Sequence, residues 1–550
     1  MKKTTRCLSL ALCLLMALTI VPAVAEDAHG PLWIGDYELT FWTPIESTAA
    51  QYYETLAEHP YFQWMEEQTG VHVEFIHPSY EQMEQQFNLM VTTGNYYDIM
   101  REASYPDGPQ AAINDGVFAD IEQFRDLMPN YFAAIECSDG TFADWEWGPE
   151  KELLWAGAQP AFKPALTTVE GNVWCVSQVW CDALPTDCGA YIRQDWLDEA
   201  GLDMPETLED LEKVLAAFKA RGEDVIPMSL GNYGYNGSYY IMNAFDINMN
   251  WYYVQNNEVK LCFNQPGLKD YLTLMADWYA KGYIDPDFMN RDDESLQALF
   301  LSDRLGILMT SWSTQDYYEG LYTGTQNFKL SPMSAPVKEK GQQLHMRPGY
   351  DSSSTSYALI SAHSDKKEIA ARWLDVFYSK EGILRGQYGV EGESYVMVDG
   401  HPYFTEWTFD HLDEDNLYHT YFAPNQNNYW STRASLLLNG KNRTVEDQQT
   451  KTSAYQHATA VWGDHADFSD SIGFVSFAGD GWAQMYDPYT EAETYFAPMI
   501  LRFITGKEPI EKFDEYSQKA MDMGFAEARD KMQEAYNTQH GLPEGTGISK

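Results

Sequence analysis

The chain predicts an α/β protein of two lobes joined by short hinge strands, and three observations carry that prediction. The 525 residues left once a leader of about 25 is set aside are too many for one hydrophobic core, so two or more lobes are expected. Residues 37–100 alternate strand, helix, strand, helix, strand, an order that produces a parallel sheet covered by helices. No internal repeat and no long low-complexity linker interrupts the chain, so the crossings between lobes must be short.

The first element is a leader. Lys2, Lys3 and Arg6 precede an apolar run from Leu8 to Val21, and Ala23-Val24-Ala25 supplies small residues for cleavage before Glu26. That pattern is a secretory signal peptide over residues 1–25, too short and wrongly flanked for a membrane span. Cys13 follows Leu12 inside the apolar run, a poor site for lipidation, which argues against a lipid anchor.

In residues 37–42, Leu39 and Phe41 alternate with Thr40 and Trp42 as a strand. A helix ends at Gln68-Thr69-Gly70, where glycine suits the C-cap, and Val71, Val73 and Phe75 alternate as the second strand. The next helix carries Met83, Phe87, Met90 and Val91 on one face and ends at Thr93-Gly94. Tyr97-Asp98-Ile99-Met100 opens the third strand. Glu170-Gly171-Asn172 reads as a turn between short strands.

The segment Tyr191–Lys219 places Arg193, Asp195 and Trp196 together at a strand-to-helix turn, followed by two helical pieces split at Gly201 and Pro205. Thr207 with Asp210 approaches a capping box, and Leu211, Val214, Leu215 and Phe218 share one face. Arg193 and Asp195 fit either an ion pair fixing the turn or a ligand contact. Further amphipathic helices are expected at 268–281, with an inward face, and at 365–378, with Ile369, Trp373, Leu374 and Phe377 inward. A long terminal helix is expected from Asp514 to Tyr536.

The phrase YIRQDWLDEAGLDMPETLEDLEKVLAAFK (191–219) resembles the "IRKDWLDKLGLKxPxTxDE" segment of extracellular solute-binding proteins, family 1, the sugar-binding components of ABC importers. QTGVHVEF and MVTTGNYYDIM are similar to that family's "TGIxVE" and "ASGDLPDI" phrases. YIDPDF (283–288), FLSDRLGILMTSW (300–312), YGVEGESY (388–395) and FITGK (503–507) follow in family order. The resemblance spans roughly residues 35–537. It implies a type II periplasmic-binding-protein-like fold, with lobe one in residues 31–170 and 345–400. Lobe two would take 171–344 and 401–550, including the C-terminal helices. It also implies delivery of a carbohydrate, in particular an oligosaccharide, to permease subunits by a monomeric binder.

Composition and motifs exclude several alternatives. The formal charge is −46, and about −49 without the leader's three cations, a surface that repels nucleic acid and anionic membranes. Zinc-protease, serine-hydrolase and phosphate-loop signatures are absent from the sequence. Asp285, Asp287 and Asp292-Asp293-Glu294 do not make a calcium loop. Asn290 stands where a glycine is needed and Leu296 where a bidentate glutamate is needed. These acids and the Asp413–Asn416 run read as solvated surface, so neither metal nor cofactor is expected. Five cysteines follow the leader: Cys137, Cys175, Cys181, Cys188 and Cys262. An odd count leaves at least one thiol unpaired in the monomer, and Cys175, Cys181 and Cys188 are close enough for a disulfide.

Sugar capture needs aromatic faces and hydrogen-bonding side chains, and the chain has 17 Trp and 37 Tyr. Candidate ligand contacts are Trp42 at a strand end, Asp98 before its strand, and the Arg193, Asp195 and Trp196 cluster. Trp174 and Trp312 lie where the resemblance implies stacking aromatics. Tyr350 and Asp351 lie at the return crossing, Glu391 in YGVEGESY, and Trp482 in a loop beside Gly481 and Asp480. A secreted carbohydrate hydrolase using an unrecognised carboxylate pair, and a sensor component for a peptide or other polar metabolite, stay open as other classes.

Overall fold

The computed structural model describes residues 29–45, 50, 53–106, 108–136, 163–177, 179–180, 188–230, 239–247, 252–311, 314–345, 356–411, 430–431, 443–450, 454–463, 472, 475, 477, 481–543 and 545–548. Strands β1 (Tyr37–Trp42), β2 (Val71–Ile76) and β3 (Ile99–Arg101) form the parallel part of a first sheet, with β1 in the middle. β12 (Tyr357–Ile360) returns to pair antiparallel with β3, and β4 (Val176–Ser177) closes the sheet against β12, giving the order β2-β1-β3-β12-β4. The expected helices are present at Pro60–Thr69 and Met83–Thr93, each closed by a left-handed glycine, Gly70 and Gly94.

The second sheet has the order β11-β6-β10-β7, from β6 (Cys188–Arg193), β7 (Ile226–Ser229), β10 (Leu305–Ser311) and β11 (Leu330–Met333). β10 is parallel to β7, and β6 is antiparallel to both β10 and β11. Between the two sheets in sequence, β5 (Val179–Trp180) pairs in parallel with β15 (Trp430–Ser431). Two hairpin ribbons, β8 (Tyr252–Gln255) with β9 (Glu258–Leu261) and β13 (Tyr395–Val398) with β14 (His401–Phe404), complete the described strands.

Each large sheet has its own core. The first gathers Leu39, Phe41, Val71, Ile99, Leu359, Trp373 and Phe377. The second gathers Ile192, Leu215, Phe218, Met228 and Ile307, and extends into the C-terminal helices through Phe496, Phe513 and Phe525. A small third cluster unites Tyr388, Tyr395, Phe404 and Phe409.

Several expectations need correction. Val173, Cys175 and Val176 belong to the first core, so the chain leaves the first sheet after Ser177 and not at residue 170. Cys175 is a free, buried thiol, Cys262 is buried as well, and burial pushes both thiols' pKa values up. The terminal helix is two helices, Phe513–Ala520 and Ala526–Gln539, broken at Gly524. A Cβ there would stand 2.0 Å from the Pro488 carbonyl oxygen, so the backbone kinks where it presses on the neighbouring helix. Asp285 is fully buried, not solvated, whereas Asp287, Asp292, Asp293 and Glu294 are exposed as expected, with Asp292 also serving as a helix N-cap in a capping box with Ser295.

Candidate ligand-binding site

In open α/β sheets the ligand crevice lies outside the carboxyl ends of the parallel strands. In the first sheet these ends are Trp42, Ile76 and Arg101, and the antiparallel β12 begins beside them at Tyr357. Arg101 is 3% exposed, and its Nε donates to Ser356 Oγ at 3.1 Å and to Glu102 Oε1 at 3.0 Å. Glu102 has φ 51°, a left-handed conformation that costs a non-glycine residue about 1–3 kcal/mol. Its N–H is held by the Tyr357 carbonyl at 2.9 Å. Trp174 is half-buried and stands edge-on to Tyr357, with ring centroids 4.8 Å apart. An aromatic pair, a fixed cation with its carboxylate and a strained turn thus meet at one sheet edge. Such a set can stack on a sugar ring and hydrogen-bond its hydroxyls.

His77 braces the same edge just beyond β2. Leu56 N–H donates to its Nε2 at 3.2 Å, so Nδ1 carries the proton toward the Thr43 carbonyl at 2.8 Å. Burial holds its pKa below the usual histidine value, with the Thr43 carbonyl opposing, which favours this neutral tautomer.

In the second sheet the carboxyl ends are Ser229, Ser311 and Met333. Thr310, near the end of β10, and Thr314, the first residue of the following helix, bring their hydroxyls together at 2.9 Å. Asp285 accepts from Arg291 Nε at 2.8 Å, from the Asp287 N–H at 3.0 Å and from Ser229 Oγ at 3.3 Å. The beginning of β6 lies at this edge too. There Trp462 fills the space over Gly189, whose Cβ would fall 2.4 Å from the indole, and donates Nε1–H to the Ala190 carbonyl at 3.2 Å.

The structure packs the Trp174 ring against Tyr357, whose strand begins at the carboxyl edge, and distributes the other candidates. Trp42 ends its strand there but is 1% exposed in the first core. β1 is a central strand, and at its end the successive residues Phe41 and Trp42 are both buried, so both faces are covered there. Asp98 lies at the start of β3, away from the carboxyl edge. Its Oδ2 accepts from the Thr40 N–H at 2.8 Å and hydroxyl at 3.0 Å, and its Oδ1 from Ser364 Oγ at 2.6 Å.

Arg193, Asp195 and Trp196 follow the end of β6. Because β6 is antiparallel, that end lies beside the start of β10, at the edge opposite the carboxyl ends. Arg193 is fully buried, donating to Asp195 at 2.8 and 2.5 Å, to Asp303 at 2.8 Å and to Gln326 at 3.3 Å. Its guanidinium lies 4.6 Å from the Trp196 ring and 4.5 Å from Phe328. The trio is a buried clamp of the second lobe.

Glu391 is exposed in the turn between Gly389 and Gly392, bridged to Tyr395. Burial, with the Glu391 charge second, pushes the Tyr395 hydroxyl up to about 12. Trp482 is half exposed, but as the second residue of the helix Gly481–Ile504 and not in a loop. Trp312, Tyr350 and Asp351 lie outside the described residues. Arg101, Glu102, Ser356 and Tyr357 were not singled out from sequence. Only the end of the third strand hinted at the first two, and no local pattern marks the others. Among the described residues no group of three or more His, Cys, Asp or Glu could hold a metal ion.

The fold is that of the type II periplasmic solute-binding proteins. An extracellular solute-binding protein from Bifidobacterium longum subsp. infantis superposes with TM-score 0.68 at 18% identity, covering 92% of this chain and 99% of that one. The S. pneumoniae ABC-transporter substrate binding protein FusA, in complex with kestose, gives 0.62 at 17% identity with the same coverage. The chain belongs to the bacterial extracellular solute-binding protein family, which it matches over residues 61–390. It is 25% identical over 351 residues to the fructooligosaccharide ABC transporter substrate-binding protein FusA of Streptococcus pneumoniae, covering 60% of each chain. It is 24% identical over 345 residues to Lipoprotein LipO of Bacillus subtilis, covering 59% of this chain and 64% of that one. The chain thus spans about three-fifths of the length of the curated relatives it matches. Among the described residues no helix is long and apolar enough to cross a membrane.

Proposed function

We propose that the protein is the substrate-binding component of an ABC importer, capturing a carbohydrate outside the cell and delivering it to permease subunits. The observation that carries this reading is family membership over residues 61–390, joined to likeness to a relative named for fructooligosaccharide. The ligand is a neutral oligosaccharide, because a chain of net charge −46 disfavours anions unless a local basic pocket overrules it. Two lobes close on the ligand by hinge bending. Trp174 offers its face to a sugar ring, Arg101 and Glu102 meet its hydroxyls, and Trp312, Tyr350 and Asp351 contribute from neighbouring segments. The protein acts by binding and breaks no bond. It is exported as a monomer whose mature chain starts at Glu26, without lipid on Cys13.

The test is a thermal-shift screen of the mature protein against mono- and oligosaccharides. A binder at 100 times its Kd adds about 2.7 kcal/mol to stability and raises Tm. A screen in which no saccharide moves Tm, or one in which shorter saccharides are released, overturns the reading.

A further inference from the structure

The helix Gly481–Ile504 carries a feature that capture between lobes does not use. Trp482 is 50% exposed and Tyr486 36% exposed. Their rings stack with centroids 5.5 Å apart and planes 14° from parallel. Residues four apart stand one above the other on a helix, so Thr490 and Thr494 continue the line of Trp482 and Tyr486 along the same face. Beside the stripe lies an open groove of about 520 Å³. Tyr486 walls it at one end and Tyr495 at the other, and Met523 from the neighbouring chain segment contributes an apolar surface. Tyr495 is held by stacking on Tyr516 at 6.1 Å and by the Lys519 ammonium 4.4 Å from its ring.

Asp487 and Glu491 line the same groove. Both are exposed, and neither is paired with a cation among the described residues. Two tyrosine walls, an apolar surface and two solvated carboxylates are the components that recognise a sugar. The rings cover its apolar face, and the carboxylates accept from neighbouring hydroxyls. Lys519 beside Tyr495 opposes a cationic ligand at the same faces.

We propose that this groove is a second saccharide site, taking one or two rings of a neutral glycan outside the interlobe cleft. The inference rests on the transport reading only for the class of ligand. A weak outer site of this kind would hold a glycan chain near the protein, raising its effective concentration at the cleft.

The test uses the full mature chain labelled with fluorotryptophan, the Trp482 resonance being assigned by Trp482→Phe. Maltotriose, kestose and lacto-N-tetraose are titrated to millimolar concentration while calorimetry follows cleft binding separately. The Trp482 resonance should shift saturably with at least one of them. Tyr486→Ala, and independently the pair Asp487→Asn with Glu491→Gln, should weaken that response roughly tenfold, about 1.4 kcal/mol, and leave the calorimetric affinity unchanged. These side chains are exposed, so neither variant opens a core cavity. A Trp482 resonance unmoved by all three sugars overturns the site, whatever calorimetry reports. So does a response that survives Tyr486→Ala, or one produced by spermidine and not by sugars. A Trp482 shift with silent calorimetry supports the groove and counts against cleft capture.

Discussion

Arg193 and Asp195 meet side-on inside the second lobe, Nε to Oδ1 at 2.8 Å and Nη2 to Oδ2 at 2.5 Å, with both side chains buried. Only one residue separates them in sequence, so the strand-to-helix turn at the end of β6 is locked by its own side chains. Removing Asp195 strips the buried guanidinium of its two-point partner and leaves Asp303 as its counter-ion, which costs about 1–3 kcal/mol. Asp195→Ala should therefore lower the unfolding free energy measured by urea titration by that amount, while the folded fraction keeps its saccharide affinity. An affinity loss at unchanged stability would return this pair to the ligand site.

Trp42 and Trp174 should behave oppositely. Trp42→Ala opens a cavity in the first core and should cost roughly 3–5 kcal/mol of stability. Trp174→Ala, at a half-buried ring against Tyr357, should leave Tm close to the parent's and weaken saccharide binding by roughly 1–3 kcal/mol. Melting temperature without ligand and calorimetry with it are measured on both. Two variants that both unfold early, with no specific affinity loss, would remove Trp174 from the site.

Gly524 tests the kink in the C-terminal helices. A methyl group there meets the Pro488 carbonyl oxygen at 2.0 Å, and backbone cannot yield as a flexible side chain does. Gly524→Ala should destabilise by about 1–3 kcal/mol, although alanine is the better helix former. A stabilised variant would mean that the two helices join into the continuous one that periodicity suggests.

Asp375 gives a pH signature. Burial pushes its carboxyl up to about 6, against the opposing hydrogen bonds from the Tyr131 N–H and the Asn130 side chain. The folded pKa exceeds the unfolded value of about 3.9, so the native state holds the proton more tightly. The stability this group contributes is fully present below pH ~4 and is lost as pH rises through about 6. Asp375→Asn should gain on the parent by up to ~3 kcal/mol between pH 4 and pH 7, two pKa units at 1.36 kcal/mol each. Urea titrations at four pH values check this, and a difference independent of pH sinks it.

Much of the architecture was legible because its causes are local. Alternation in 37–42 and 71–76, the C-cap glycines at 70 and 94, and the apolar face of 208–219 act over a few residues and appear as read. Sequence alone places Asp285 on the surface because Asp287 and the run Asp292-Asp293-Glu294 follow it. Its burial depends on Arg291 and on Ser229, 56 residues earlier. Trp482 was read as a loop aromatic because Gly481 and Asp480 precede it, yet the helix starts at that glycine.

The sequence by itself determined the α/β class, the order of its elements and the family to which it belongs. Periodicity, caps and motif phrases are properties of neighbouring residues. Only the tertiary structure decided which side chains meet at a sheet edge. Arg101 finds Ser356 across 255 residues and Arg193 finds Asp303 across 110. The antiparallel direction of β6 carries the Arg193 cluster to the edge opposite the carboxyl ends. Strand direction and central position follow from pairing between distant segments. A tryptophan therefore becomes core at residue 42, at a strand end, and half-buried at residue 174, before a strand.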